Sequence, residues 1–122
     1  MRKEVMEPVL LKEDELPKWF KYPEEFLRLV ESEIFLIEPW QILEGKWLRV
    51  RLEGLKKRYP DRDLIPFYRC LANDDVACWE KSKPGAVVIV HDFASLGWES
   101  RDEFSNFWDW FRSIVECFIE GE

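Results

Sequence analysis

The chain has 122 residues, enough for one domain with one core and too few for two. Hydrophobic residues make up 47% and charged ones 35%, with seven Trp and nine Phe, which excludes a disordered or low-complexity polymer. The formal net charge of −7 argues against a phosphate-backbone binder and favours a basic protein partner.

Residues 1–22 mix acids with apolar residues around Pro8 and Pro17 and end on Trp19-Phe20-Lys21-Tyr22. They read as an irregular arm whose aromatics either dock onto the body or face outward. Met1-Arg2-Lys3-Glu4-Val5 meets an acid before any apolar stretch, so no secretory signal is visible and a cytoplasmic location is expected. The longest uncharged apolar run, Ala86 to Val90, falls far short of the roughly 20 residues that span a bilayer, and no membrane partner is expected.

Pro23-Glu24-Glu25 opens a helix, with proline in the first turn and acids at the positive end of the dipole. Phe26, Leu27, Val30 and Ile34 follow at helical spacing as its buried stripe, and the helix ends near Glu33. Ile34 to Ile37 and Trp40 to Leu43 are short apolar runs bent apart at Pro39, which predicts extended structure. From Glu44 to Tyr59 a second helix is expected, burying Leu48, Leu52, Leu55 and Tyr59 and stopped by Pro60.

Leu64 to Leu71 and Asp75 to Trp79 are β-rich runs joined by Ala72-Asn73-Asp74, a hairpin whose turn residues tolerate left-handed backbone. Pro66 cannot donate to a ladder, which favours an edge position or a strand beginning. After a second turn at Lys81 to Gly85, Ala86 to Phe93 is apolar on both parities, the pattern of a central strand covered on two sides. Ser100-Arg101-Asp102-Glu103 has the form of a capping box and predicts the start of the last helix. Phe104, Phe107, Trp108, Phe111, Ile114, Val115 and Phe118 then form a wide stripe that packs on the sheet. Helices, a strand meander and a closing helix give a single-domain α+β fold over residues 1–122.

Little in this order points to catalysis. Asp74, Asp75, His91 and Asp92 could hold a metal or run acid–base chemistry, but their spacing fits turn-capping and strand-end polar groups better. No nucleotide-binding or hydrolase motif is present, so no catalytic residue, no metal and no cofactor is expected. Cys70, Cys78 and Cys117 include no CxxC pair, and reduced thiols are expected. A hairpin centred on Asp74 would set Cys70 opposite Cys78 and allow a redox pair, although small buried side chains account for both residues.

Residues 43–62 carry seven bases and three acids, read as a solvated helix face in preference to a nucleic-acid patch. Residues 92–122 carry eight acids and two bases, the half best suited to meet a cationic surface. Trp110 falls off the stripe of Phe107, Phe111 and Ile114, and Trp98 sits beside Gly97 in a loop. Both are candidate interface anchors, unless they cover the sheet edge. The candidate partner-binding residues are therefore Trp98, Glu99, Asp102, Asp109 and Trp110, followed by Asp74 and Asp75 in the turn.

Tyr59-Pro60, Leu64-Ile65-Pro66-Phe67, Asn73 to Trp79, Val88 to Phe93, Trp98-Glu99 and Phe104 to Trp110, in that order, resemble the SUKH superfamily in its SMI/KNR-like branch, over about residues 23–119. The resemblance implies an antiparallel sheet flanked by helices and no shared catalytic residues. It implies a non-enzymatic bacterial immunity protein that neutralises a cognate protein toxin; the acidic charge suits a basic nuclease domain as that toxin, and a monomer or weak dimer is expected. The alternative the resemblance leaves open is an intracellular scaffold or regulatory interaction module.

Overall fold

The computed structural model describes residues 7–121, and Met1 to Met6, at the head of the arm, lie outside the described residues. After a single 3-10 turn at Glu13–Glu15 come helix α1 (Glu24–Glu31), strands β1 (Leu36–Ile37) and β2 (Trp40–Ile42), and helix α2 (Gly45–Arg58). Strands β3 (Leu64–Cys70), β4 (Asp75–Glu80), β5 (Lys83–His91) and β6 (Ser100–Phe104) precede helix α3 (Phe107–Glu120). The six strands form one antiparallel sheet in chain order, the α+β meander that the element pattern predicts.

Every residue from Val76 to Glu80 and from Ala86 to Val90 is buried, so the middle of the sheet is covered on both faces. On one face Phe67 and Trp79 meet Phe26 of α1 and Phe107 of α3, and the arm adds Phe20 and Tyr22 to this aromatic layer. The docked reading of the arm therefore holds, and Arg49 of α2 ties it further by binding Glu15 and the carbonyl of Leu10. Helix α2 packs on β3 through Leu48, Leu52 and Leu55, with Tyr59 buried just beyond, as its periodicity predicts.

In α1 the buried residues are Phe26 and Leu29, while Leu27 turns toward solvent. The polar segment Ser100-Arg101-Asp102-Glu103 is an edge strand rather than a helix start: Glu103 pairs with Val88 and Asp102 with Ile89, and the four side chains stay exposed. The α3 cap is Asn106, whose Oδ1 accepts the backbone N–H of Asp109 at 2.9 Å. From that start the helix buries Phe107, Trp110 and Ile114, leaving Trp108 and Phe111 half-buried and Phe118 exposed. Trp110 is fully buried against Phe67 and Tyr68, which removes it from the candidate interface anchors and leaves it covering the sheet.

Pro66 lies inside β3, third of six strands. It is tolerated because the ladder to β4 shifts there: Pro66 faces Cys78 and Tyr68 faces Ala77, leaving Phe67 as the extra residue of a bulge. The hairpin is also centred between Ala72 and Asn73 rather than on Asp74, since Arg69 faces Val76 beside the turn. Cys70 pairs with Trp40 on β2, Cys78 pairs with Pro66, and the two thiols are not opposed.

Candidate functional site

The segment between β5 and β6, residues 92–99, is built over buried charge. Asp92 follows the last residue of β5, and its side chain has no exposed surface. Arg58 Nε and Nη2 donate to its two oxygens at 2.6 and 2.7 Å, Arg51 Nη1 donates at 2.7 Å, and the N–H of Phe93 adds a bond at 2.8 Å. Burial alone would raise the Asp92 carboxyl, but these donors outweigh it and hold the group below the usual range. Seven residues apart on α2, Arg51 and Arg58 share a helix face, so one carboxylate engages both.

At its other end the loop rests on Glu99, which is also buried. Glu99 accepts the N–H of Gly97 at 2.8 Å and a bond from Arg62 Nη1 at 3.1 Å, and Arg62 also grips Glu80 with two bonds of 2.8 Å. Burial again acts upward, and the backbone donors with Arg62 reverse it, so Glu99 titrates below its ordinary value. Between these anchors the Tyr59 hydroxyl donates to the carbonyl of Ala94 at 3.1 Å. Burial, then the neighbouring Asp92 charge, pushes that hydroxyl up, which keeps it protonated and donating.

Gly97 adopts φ +93° and Phe93 φ +66°, the two left-handed positions that let the segment fold back over its anchors. The backbone thus held presents three large apolar side chains to solvent: Phe93 is 63%, Leu96 66% and Trp98 80% exposed. Phe93 is itself oriented, because the Arg58 guanidinium lies 4.0 Å from its ring centroid.

The structure gathers only some of the sequence candidates here. Trp98 stands on the loop, and the β3–β4 turn abuts it, since the carbonyl of Asp74 accepts the N–H of Asp92 at 2.9 Å. Asp75 lies across β4–β5 from His91, with its Oδ1 2.7 Å from Nδ1, and Arg101 joins the pair at 3.3 Å from that oxygen. Asp102 is exposed on β6 and accepts the N–H of Glu103. Glu99 and Trp110 are buried, so neither offers its side chain to a partner in this fold. Asp109 belongs to the start of α3, beyond the far end of β6, where it binds Arg112.

Two further charge readings change. Arg49, Arg51, Arg58 and Arg62 are committed to Glu15, Asp92, Glu80 and Glu99, so the basic segment is largely an internal clamp rather than a solvated face. In residues 92–122, Asp92, Glu99, Glu103 and Asp109 are likewise paired, which weakens the acidic field expected there. The possible acid–base group is also split: Asp75 meets His91, while Asp92 turns to α2 and Asp74 stays exposed.

Phe93 and Leu96 are not among the sequence candidates, because Phe93 falls into the apolar strand pattern. Their signal is the stretch Phe93-Ala94-Ser95-Leu96-Gly97-Trp98, which sets three large apolar residues among the small residues of a turn. No family model, curated protein or solved structure matches this chain. Among the described residues no helix is long and apolar enough to cross a membrane.

Proposed function

We propose that the protein is a non-enzymatic, stoichiometric binding protein, and specifically an immunity protein that neutralises a cognate toxin. The observation that carries the binding reading is the braced loop exposing Phe93, Leu96 and Trp98. Large apolar side chains held in the open cost solvation unless a partner covers them, and an exposed apolar cluster of this kind marks a contact surface. Fixing them beforehand through Asp92, Glu99 and Tyr59 lowers the ordering cost of association. Tryptophan is enriched among the anchor residues of such surfaces. The immunity reading is supported by the sequence resemblance, and the net charge of −7 suits a basic toxin such as a nuclease domain.

The experiment is co-expression with the toxin encoded beside its gene, scored by growth, followed by binding kinetics on the purified pair. The wild-type chain is expected to protect and to form a one-to-one complex, and Trp98→Ala combined with Phe93→Ala to shorten its lifetime at least tenfold. Failure of the wild-type chain to protect or bind overturns the immunity reading. Unchanged kinetics in the double variant removes the loop from the interface.

A further inference from the structure

Helix α3 buries Phe107, Trp110 and Ile114 against the sheet, but its apolar surface does not end there. Trp108, Phe111, Val115 and Phe118 follow one another at steps of three, four and three, which sets them in a second row along the helix. Trp108, Phe111 and Val115 are half-buried, so each still shows part of its surface. Beyond them Phe118 is 58% and Ile119 74% exposed.

The two ends of this row differ in kind. At the N-terminal end α1 runs alongside, and Arg28, Ile34, Trp108, Phe111 and Arg112 line an open groove of about 430 Å³. Its floor is apolar and its rim is cationic. The exposed Arg28 guanidinium lies 6.0 Å from the centroid of the Trp108 ring and has no ion-pair partner among the described residues. Arg112 reaches Asp109 at 3.2 Å, a solvent-exposed pair that holds it only weakly. At the C-terminal end Phe118 and Ile119 form a projecting apolar knob, with Glu116 and Glu120 within one turn of it. Both carboxylates are exposed, and neither has an ion-pair partner among the described residues.

We propose that this face of α3 is a two-fold interface with a second copy of the chain, the Phe118–Ile119 knob of each copy entering the Trp108–Phe111 groove of the other. One helix carries both the knob with its acids and the groove with its bases, so an antiparallel pair of α3 helices satisfies both at once. Trp108 and Phe118 lie roughly 15 Å apart along the helix, and a two-fold axis midway between them sets Trp108 against Phe118 and Phe111 against Val115 across the pair. The bases of each groove then meet the acids of the other knob, which fixes the register, while the projecting apolar pair is withdrawn from water. The face shares no residue with the 92–99 loop, so this inference stands whether or not that loop binds a toxin.

Sedimentation equilibrium of the full chain, from micromolar to submillimolar concentration, reads the association. A reversible monomer–dimer equilibrium is expected. Phe118→Ser with Ile119→Ser changes two exposed side chains and is expected to weaken the dimer at least about tenfold. Arg28→Glu with Arg112→Glu, and separately Glu116→Lys with Glu120→Lys, are each expected to weaken self-association by a similar factor, because groove and knob then carry the same sign. An equimolar mixture of these two charge variants is expected to regain the dimer, since each groove again meets a knob of opposite charge. Circular dichroism checks that the variants fold. A wild-type chain that stays monomeric at the highest concentration, leaving the face to another partner, overturns the proposal. So does a dimer indifferent to the knob substitutions, assembly beyond the dimer, or a mixture of the folded charge variants that fails to associate.

Discussion

Arg58 meets Asp92 with two donors, Nε at 2.6 Å and Nη2 at 2.7 Å, while the same guanidinium covers the ring of Phe93. A single side chain at the end of α2 thus fixes both the buried anchor and an exposed member of the loop. The planar fork makes this double contact possible, and a lysine ammonium would supply the charge without the geometry. Arg58→Ala is expected to cost about 2–4 kcal/mol, because it leaves a buried carboxylate with Arg51 as its remaining cation. Arg58→Lys is expected to recover less than half of that loss. Denaturant melts of the two variants check it, and full recovery by lysine would show that charge alone matters.

Asp92 and Glu99 both sit below their ordinary values of 3.8 and 4.5 in the folded state. A carboxyl whose folded value is depressed stabilises the native protein wherever both states are ionised. That contribution fades as pH falls through the unfolded value toward the folded one, because the unfolded chain takes up the proton first. Stability is therefore expected to drop as pH falls below about 4.5. Asp92→Asn should begin less stable at neutral pH and show a shallower acid decline. Denaturant midpoints across the range measure this, and an identical pH slope in the variant would exclude Asp92 as a source.

The thiols differ in access. Cys78 is wholly buried, Cys70 is buried beside β2, and Cys117 is exposed on α3. Burial pushes the Cys78 thiol up and away from its reactive thiolate form. Alkylation of the native protein is expected to label Cys117 alone, with Cys70 and Cys78 reacting only in denaturant. Mass spectrometry counts the adducts. Because the register places Cys78 opposite Pro66 and Cys70 beside Trp40 of β2, mild oxidation is expected to give no bridge between them, and finding one would contradict the strand register.

The parts of the fold legible in the sequence are those with one clear period. Leu48, Leu52, Leu55 and Tyr59 mark one side of α2 and nothing competes with that stripe, and the two apolar parities of β5 announce burial on both faces. Ser100 to Glu103 had no apolar residue to set a period, so a local capping pattern won where the backbone instead completes a ladder to β5. In α3, apolar residues cover so much of the circumference that spacing fits several phases, and only the packing of Phe67 and Tyr68 selects the one centred on Trp110. The site was harder still. Arg58 reads locally as a cation suited to a helix end, and its contact with Asp92, 34 residues on, follows from tertiary placement alone.

Trp98 and Trp110 should respond in opposite ways to the same substitution. Trp110 has no exposed surface and touches Trp40, Phe67, Tyr68 and Phe107, so Trp110→Ala is expected to cost about 3–5 kcal/mol from lost transfer energy and the cavity left behind. Its indole Nε1 is buried with no hydrogen-bond partner among the described residues, so replacing the indole also removes an unsatisfied donor. Trp110→Phe is therefore expected to cost less than about 1.5 kcal/mol, although the smaller ring leaves some space unfilled. Trp98 is 80% exposed, and Trp98→Ala is expected to change stability by no more than about 0.5 kcal/mol. Thermal and denaturant melts of the three variants decide the matter. A large loss from Trp98→Ala would mean that the indole braces the 92–99 loop instead of extending from it, and a neutral Trp110→Ala would place the wrong side of α3 against the sheet.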